Sequence, residues 1–334
     1  MASKKIILGL ESGATKTDCV IVNEYGEVLG LGSTGSSSHY SVSVRMAKRN
    51  FLAAIKRAAE EAEVDKFDVG CFGVSGLDTK EDYALYDEFL SSLDLTTKNI
   101  IVGDEVIAFY AVNYGLPCIV VIAGTGSIAY GVNSHGEEAR AGGWEWLVGD
   151  EGSAYDIARR GLMAAIRAYD GRGKGTMLTK TFMRHFDISD FRDIYQKIYG
   201  NIRKGKTAIS SLAPLITSTA EKGDVISIKI LQEVGEELGL SAIAVAERLK
   251  MTGEKVIIGS VGGVFMIGDL VFNHFYEKIK QRIPEAAFRQ SIKTAFVGAA
   301  ILGLKSSGVN LTPELVNKIN NNVREKVAKY KIDI

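Results

Sequence analysis

Residues 8–27, LGLESGATKTDCVIVNEYGE, overlay without gaps on residues 118–137, CIVVIAGTGSIAYGVNSHGE. Each copy has an apolar run, a turn of small residues, a second apolar run and the pattern N-x-x-G-E, which predicts two strands and a turn into a third. Two unrelated hairpins could share part of this pattern, but the turn chemistry favours a repeat. Under one constant offset, the following positions agree: Thr15 with Thr125, Thr17 with Ser127, Asn23 with Asn133, Gly26 with Gly136 and Glu27 with Glu137.

The small-residue turns, GAT at 13–15 and GTG at 124–126, indicate phosphate binding. Turns of Gly, Ala, Thr and Ser leave backbone N–H groups unobstructed and add hydroxyl donors, which suits a phosphate chain. Neither turn has the form of a P-loop, and no G-x-G-x-x-G segment opens a helix after a strand. We therefore expect two hairpin turns that hold one triphosphate, and neither a P-loop nor a Rossmann fold.

Length and composition suit a two-domain globular protein. The chain has 334 residues, of which 46% are hydrophobic and 24% charged. Lys+Arg and Asp+Glu both total 40, so no overall field draws the chain to nucleic acid or to an anionic membrane. The apolar run after residues 1–5 is too short for a signal peptide or a membrane span, and we expect a cytoplasmic protein.

The three cysteines, Cys19, Cys71 and Cys118, lie singly in apolar runs. Their odd number and spacing predict neither a disulfide framework nor a zinc site, and we interpret them as small buried hydrophobic residues.

The rest of the chain alternates between helical and strand-like patterns, which predicts an α/β fold. A Gly-rich turn is predicted at 259–263, and a Gly/Ala-rich helix at 295–305 is expected to pack closely. The other predicted helices are 41–63, 104–113, 153–169, 267–282 and 311–329, and the other predicted strands are 69–74, 100–102 and 256–258.

Four motifs carry a family resemblance. Residues 9–16, GLESGATK, match G-x-[DE]-x-G-[GA]-T-[KR], and residues 122–127, IAGTGS, and 259–265, GSVGGVF, supply a second phosphate motif and an adenosine motif. Residues 142–144, GGW, followed by 149–155, GDEGSAY, form the most distinctive pattern. The chain thereby resembles the N-acetylglucosamine kinase and archaeal hexokinase group of the BadF/BadG-type actin-like sugar kinases.

This resemblance implies a two-domain actin-like ATPase fold, related to ribonuclease H, with a duplicated hairpin-containing core and a cleft that closes on the sugar. The expected domains are residues 1–115 and 116–334, with the C-terminal helix free to pack back on the first. The implied reaction transfers the γ-phosphoryl group of ATP, with Mg²⁺, to the 6-hydroxyl of N-acetylglucosamine, glucosamine, glucose or mannose. The resemblance also implies a homodimer.

The resemblance assigns site residues by motif position. Asp104, at a strand end and helix start, is the expected catalytic base, although an Asp there also suits a helix N-cap. Glu11 is expected at the metal. The expected sugar-binding residues are Ser38, His39, Asp104, Gly142, Gly143 and Asp150. The expected ATP-binding residues are Gly13, Ala14, Thr15, Lys16, Gly124, Thr125, Gly126, Ser127, Gly262 and Gly263.

One departure leaves the sugar open. Relatives commonly supply an Asn from the loop after the third strand, where this chain has Ser36-Ser37-Ser38-His39-Tyr40. A Ser offers one hydroxyl in place of an amide's donor and acceptor.

Two alternatives keep the fold but change the function: an ATPase activator of acyl-CoA dehydratases, which needs cysteines for an iron–sulfur cluster, and a non-enzymatic sugar or ATP sensor.

Overall fold

The computed structural model describes residues 4–200, 205–253, 255–289 and 295–330. The chain divides into two compact units. Unit 1 comprises Met1–Cys118 with Ile292–Ile334, and unit 2 comprises Ile119–Ser291. The predicted ranges are 1–115 and 116–334, with the C-terminal helix free to pack back on the first. In the structure the whole segment from residue 292 onward, and not that helix alone, groups with the N-terminal unit.

Unit 1 is built on a five-stranded mixed sheet of order β3-β2-β1-β4-β5. The first three strands are antiparallel, and β4 and β5 run parallel to β1. Its strands are β1 (Ile6–Ser12), β2 (Lys16–Asn23), β3 (Val28–Gly35), β4 (Phe67–Val74) and β5 (Thr96–Gly103). Its helices are α1 (Val44–Ala62), α2 (Lys80–Ser91), α3 (Asp104–Asn113), α11 (Ala295–Ser306) and α12 (Pro313–Tyr330).

Both faces of this sheet are covered, because its strands are apolar on both sides. One core joins the sheet to α1 and α2 through residues such as Phe51 and Phe89. The other joins it to α11 and α12 through residues such as Phe296 and Ile319. The helix α2 was not predicted. Its start is marked by a capping box, in which Thr79 and Asp82 exchange hydrogen bonds.

Unit 2 repeats the plan with a sheet of order β10-β9-β6-β7-β8. Its strands are β6 (Cys118–Ala123), β7 (Ser127–Val132), β8 (Glu138–Gly142), β9 (Ile257–Val261) and β10 (Ala287–Arg289). Its helices are α4 (Ala154–Tyr169), α5 (Leu178–Phe186), α6 (Ile194–Tyr199), α7 (Lys206–Ser210), α8 (Ala213–Ala220), α9 (Val225–Arg248) and α10 (Asp269–Arg282). Within the described ranges, no helix is both long and apolar enough to cross a bilayer.

The repeat predicted from the sequence extends to individual hydrogen bonds. In unit 1, Asn23 Oδ1 accepts from the backbone N–H groups of Tyr25 and Glu27. In unit 2, Asn133 Oδ1 accepts from the N–H groups of His135 and Glu137. The two N-x-x-G-E turns therefore fold alike because the same Asx contact closes each one.

The predicted glycine-rich turn at 259–263 is shorter than expected. Strand β9 continues through Gly259 and Ser260 to Val261, and the turn is confined to Gly262 and Gly263. Gly259 is paired with β6 on one side and with β10 on the other. Backbone pairing on both edges thus overrides the low strand propensity of glycine.

The predicted close packing of the Gly/Ala-rich helix is confirmed by the contact between α11 and α3. A Cβ placed on Gly298 would lie 1.8 Å from the backbone oxygen of Ile107. Only a residue without a side chain allows the two backbones to approach this closely.

We expect Gly298→Ala to lower the free energy of unfolding by about 1–3 kcal/mol, because a methyl group there forces the two helices apart. Urea unfolding followed by circular dichroism measures this loss. The matched control is Gly175→Ala, since a Cβ at Gly175 meets no atom within 4 Å. Equal stability of the two variants would contradict this account of the packing.

Candidate functional site

The first small-residue turn joins β1 to β2 and contains Gly13, Ala14 and Thr15. Gly13 N–H donates to Lys16 O at 2.9 Å, which closes the turn. Ser36 Oγ–H donates to Gly13 O at 3.0 Å, so the loop after β3 is attached to the turn. These contacts fix the turn from within and from one side.

Three buried hydroxyls lie behind this turn. Ser37 Oγ lies 2.7 Å from Ser12 Oγ and 2.6 Å from Thr17 Oγ1, and all three residues are fully buried. The turn therefore stands on a polar base that ties β1, β2 and the loop after β3 together. Ser38, predicted to bind the sugar, follows directly and is buried.

Three carboxylates gather beside the first turn. Glu11 on β1 lies opposite Asp18 on β2 in the strand register, and Asp104 begins α3. Burial, reinforced by the charges of Asp18 and Asp104, raises the pKa of Glu11 to about 8. Lys16 Nζ lies 2.9 Å from Asp18 Oδ2 and opposes this effect. The site thus concentrates more negative charge than its neighbouring lysine compensates.

Asp104 lies at the point where β5 ends and α3 begins, as predicted. The N-cap is Gly103, so Asp104 is the first residue of the helix, and the purely capping interpretation does not hold. Its side chain is partly exposed. A carboxylate at a helix N-terminus is stabilised by the helix dipole.

His39 belongs to a hydrogen-bond network beside the loop that follows β3. Its Nε2 lies 2.7 Å from Asp82 Oδ1 and its Nδ1 lies 3.3 Å from Tyr86 Oη. Tyr86 Oη–H donates to Ser37 O at 2.9 Å, which links the network to the buried hydroxyls. Although burial opposes it, hydrogen bonds from Thr79, His39 and Tyr40 lower the pKa of Asp82 to about 2. The network couples His39 to the loop that carries Ser38.

The second small-residue turn joins β6 to β7 and contains Gly124, Thr125 and Gly126. Gly124 N–H donates to Gly126 O at 2.9 Å, and Ala154 N–H, at the start of α4, donates to Gly124 O at 2.9 Å. Ser127 Oγ–H donates to Glu151 O at 2.7 Å. The turn is thus attached to the GDEGSAY segment, as the first turn is attached to the serine loop.

Asp150 is joined directly to this turn. Its Oδ1 accepts from Ser127 N–H at 3.1 Å, and the residue is 3% exposed. Its backbone has φ +64°, in the left-handed region, and Gly142 and Gly143 are left-handed as well. Strained or glycine-dependent backbone in one place is typical of functional sites.

Gly262, predicted to bind the nucleotide, is packed beside the second turn. A Cβ at this position would lie 2.4 Å from Ala123 O, and its φ is +105°. Gly263 follows and begins a short 3₁₀ helix, Gly263–Ile267. Unit 2 therefore brings together Gly124–Ser127, Asp150 and Gly262, and unit 1 brings together Glu11, Gly13–Lys16 and Asp104.

One segment elsewhere matches the P-loop spacing. Residues 200–207 read GNIRKGKT, which fits G-x-x-x-x-G-K-T. A P-loop connects a strand to a long helix, but this segment follows helix α6, and the helix after it, α7, has five residues. The expectation that the fold is not of the P-loop type therefore holds in spite of the spacing, and residues 201–204 lie outside the described part of the chain.

Several residues of the site were not predicted. The one feature that could have revealed Asp18 is its position opposite Glu11 in the predicted hairpin. For Asp82 it is the capping-box spacing from Thr79. Lys206, whose Nζ lies 3.0 Å from Asp150 Oδ2, has no sequence signal that points to the GDEGSAY segment. Such partners become visible only when the chain is folded.

These paired hairpin units and their small-residue turns define an actin-like fold of the sugar-kinase kind. A protein of Chromobacterium violaceum, provisionally described as an N-acetylglucosamine kinase, matches with a TM-score of 0.73 and 24% identity over 90% of this chain and 99% of that one. A ROK family glucokinase from Streptomyces griseus, solved with glucose and AMPPNP, matches with a TM-score of 0.57 and 16% identity over 91% of this chain and 100% of that one.

The chain belongs to the BadF/BadG/BcrA/BcrD ATPase family, whose model matches residues 8–303. An N-acetylmuramic acid/N-acetylglucosamine kinase of Clostridium acetobutylicum is 32% identical over 302 residues, which are 89% of this chain and 98% of that protein. The family and the two-domain actin-like fold predicted from the motifs are confirmed.

The raised pKa of Glu11 predicts a pH dependence of stability in the metal-free protein. The folded state holds the Glu11 proton up to about pH 8, whereas an unperturbed glutamate loses it near 4.5. Between these values the folded state binds more protons than the unfolded state, so the stability contributed by this group falls as pH rises. Glu11→Gln cannot lose that proton. We expect the melting temperature of Glu11→Gln to rise relative to that of the wild type as the pH increases from 5 to 8. The rise is about 2–4 °C for each kcal/mol of stability that the wild type loses.

Thermal unfolding in EDTA across this pH range measures the difference. Glu88→Gln, on an exposed face of α2, is the matched control and should run parallel to the wild type. A difference between Glu11→Gln and wild type that stays constant with pH would contradict the raised pKa.

Proposed function

We propose that this protein is an ATP-dependent sugar kinase that phosphorylates the 6-hydroxyl of an amino sugar or hexose. The observation that carries the proposal is the pair of equivalent small-residue turns, each at the head of a hairpin and each beside an acidic residue, Asp104 in unit 1 and Asp150 in unit 2. The kinase activity named for the Clostridium acetobutylicum relative supports it.

Phosphate binding is assigned to the two turns. Thr15, Lys16 and Thr125, with the backbone N–H groups of the two turns, are the proposed donors to a triphosphate. Ser127, predicted with them, donates its N–H to Asp150 Oδ1 and its Oγ–H to Glu151 O, so its proposed role is to hold the second turn in place. The backbone of the two turns is fixed by the turn-closing bonds at Gly13 and Gly124. Catalysis by positioning depends on this rigidity, because phosphoryl transfer asks for little covalent chemistry from the protein.

Asp104 is assigned as the base that accepts the proton of the sugar hydroxyl. Its place at the junction of β5 and α3 is the position expected for the base, and its partial exposure leaves a path to substrate. A base of this kind contributes about 10²- to 10⁴-fold to a rate.

The carboxylates beside the first turn fit Mg²⁺. Burial, and after it the charges of Asp18 and Asp104, raises the pKa of Glu11, and a divalent cation bound there would favour the ionised carboxylate. Among the described residues no group of three or more His, Cys, Asp or Glu side chains forms a complete metal site. Mg²⁺ usually binds one or two carboxylates and completes its shell with water and substrate phosphates, so Glu11 with Asp18 is sufficient. When bound, Mg²⁺ neutralises charge on the phosphates.

The acceptor pocket is assigned to Asp150, Gly142 and Gly143, with Ser38 and His39 from the loop after β3. His39 acts through its hydrogen bond to Asp82, which orients the loop that carries Ser38. The names of the relatives favour N-acetylglucosamine as the acceptor sugar. The name of the Clostridium acetobutylicum relative adds N-acetylmuramic acid to the acceptors to be tested. The predicted homodimer and cytosolic location stay predictions.

The activator alternative is disfavoured by the cysteines. Cys19, Cys71 and Cys118 are fully buried on β2, β4 and β6. Burial raises the pKa of Cys19 and of Cys71 far above the ordinary value, which opposes the thiolate form that an iron–sulfur cluster requires.

We expect Asp104→Asn to lower kcat by about 10²- to 10⁴-fold while the dissociation constant of the sugar changes little. The amide keeps the shape of the side chain but cannot accept the proton. Steady-state kinetics and calorimetric sugar binding measure the two quantities. Asp87→Asn, at an exposed position on α2, is the matched control. Near-normal turnover of Asp104→Asn would overturn the assignment of the base.

A sugar panel tests the reaction itself. N-acetylglucosamine, N-acetylmuramic acid, glucosamine, glucose and mannose are each supplied with ATP and Mg²⁺ in a coupled assay of ADP release. We expect release that depends on sugar and is fastest with an N-acetylated amino sugar. Absence of release with every sugar would favour a sensor or an activator.

A further inference from the structure

A buried lysine lies beside the second small-residue turn. Lys206 Nζ lies 3.0 Å from Asp150 Oδ2 and 3.0 Å from both carboxylate oxygens of Glu145. The side chains of Lys206, Glu145 and Asp150 are 11%, 46% and 3% exposed. A lysine this buried gives up most of its hydration, which is tolerated only where carboxylates compensate. The contact is therefore a feature of the packed site and not a solvated surface pair.

Asp150 connects this lysine to the turn. One carboxylate oxygen accepts from Ser127 N–H, and the other faces Lys206 Nζ. A Cβ on Gly126 would lie 2.8 Å from Asp150 Oδ1 and 3.0 Å from Lys206 Nζ, so the glycine makes room for the pair. The Asp150 carboxylate is thus held at both oxygens, which leaves its remaining lone pairs in a fixed direction.

The loop that carries Glu145 gains little stability from apolar burial. Trp144, Leu147 and Val148 are 68%, 76% and 79% exposed. Trp146 contacts the ring of Tyr155 with centroids 5.6 Å apart, and Glu145 has a left-handed backbone. Lys206 therefore supplies a polar anchor where hydrophobic packing is weak.

We propose that Lys206 is a positioning residue for the acceptor sugar, which holds the Asp150 carboxylate in the orientation that receives sugar hydroxyls. This inference rests on the proposed function, in which Asp150 binds the sugar. Lys206 acts through Asp150 and does not itself contact the substrate. The spacing of residues 200–207 suggests a rival role, direct contact of the lysine with phosphate, and the two roles differ in which substrate is bound less well.

The first test replaces the ammonium. Lys206→Met keeps the length of the side chain, and we expect it to raise the KM of the preferred sugar about 10- to 100-fold, the size of a lost hydrogen bond to a charged group. The KM of ATP should change by less than about threefold, and Lys206→Arg should recover part of the sugar affinity. Lys222→Met, at an exposed position, is the matched control.

The second test asks whether Lys206 acts through Asp150. We expect Asp150→Asn to raise the sugar KM, and the double variant Asp150→Asn/Lys206→Met to be no worse than Asp150→Asn alone, because residues in one network are not additive. If the increase in sugar KM in the double variant equals the product of the increases in the two single variants, the proposal is overturned.

The third test is the pH profile of kcat/KM for the sugar. The charged and titratable groups that face Asp150 are Lys206, Glu145 and Tyr155. Burial raises the pKa of Asp150 above its ordinary value and Lys206 opposes that rise. Removal of the lysine should therefore move the acidic limb of the profile to higher pH, whereas a purely structural role would lower the profile without moving it.

The outcomes separate this inference from the proposed function. A wild type that phosphorylates none of the sugars overturns both. If the wild type is active and Lys206→Met leaves the KM of the sugar unchanged, only the role of Lys206 is overturned. If Lys206→Met raises the KM of ATP and leaves that of the sugar unchanged, the lysine is assigned to phosphate binding instead. If Lys206→Met fails to fold, Lys206→Gln replaces it in the pH measurement: an acidic limb at higher pH than in the wild type supports the role, and a profile identical to wild type overturns it.

Discussion

The antiparallel pairing of two strands around a turn of glycine and small hydroxyl residues is the constraint on which both units depend. In each unit the turn is closed by a backbone hydrogen bond, at Gly13 or at Gly124, and is then attached to a neighbouring segment. Ser36 makes that attachment in unit 1, and Ala154 makes it in unit 2. A turn held in this way keeps its N–H groups oriented without help from a ligand, which is the condition for electrostatic preorganisation.

Charge is distributed unequally around the two turns. Beside the first, carboxylates outnumber cations, and burial together with the charges of Asp18 and Asp104 raises the pKa of Glu11. Beside the second, Lys206 stands between Asp150 and Glu145. The same backbone plan thus carries an excess of carboxylates in unit 1 and a lysine compensated by two carboxylates in unit 2.

The duplicated hairpins and the positions of their turns could be predicted from the sequence, because the residues that form the turns determine the local backbone conformation. Asn23 and Asn133 close their turns by contacts within four residues, and Asp104 is placed by the junction of β5 and α3. What escaped prediction is long-range. Asp82 meets His39 and Lys206 meets Asp150 only through tertiary packing, and the extension of β9 through Gly259 and Ser260 follows from strands on both sides.

The packing of α11 against β1 and α3 has a consequence for biosynthesis. Unit 2 is continuous in the chain, but the core of unit 1 requires Phe296, Ile301 and Ile319, which leave the ribosome only after unit 2 has been synthesised. During translation one apolar face of the N-terminal sheet therefore stays exposed while unit 2 is synthesised. The nascent chain must keep that face from aggregating until α11 and α12 have been synthesised, and chaperone demand should be concentrated in that interval.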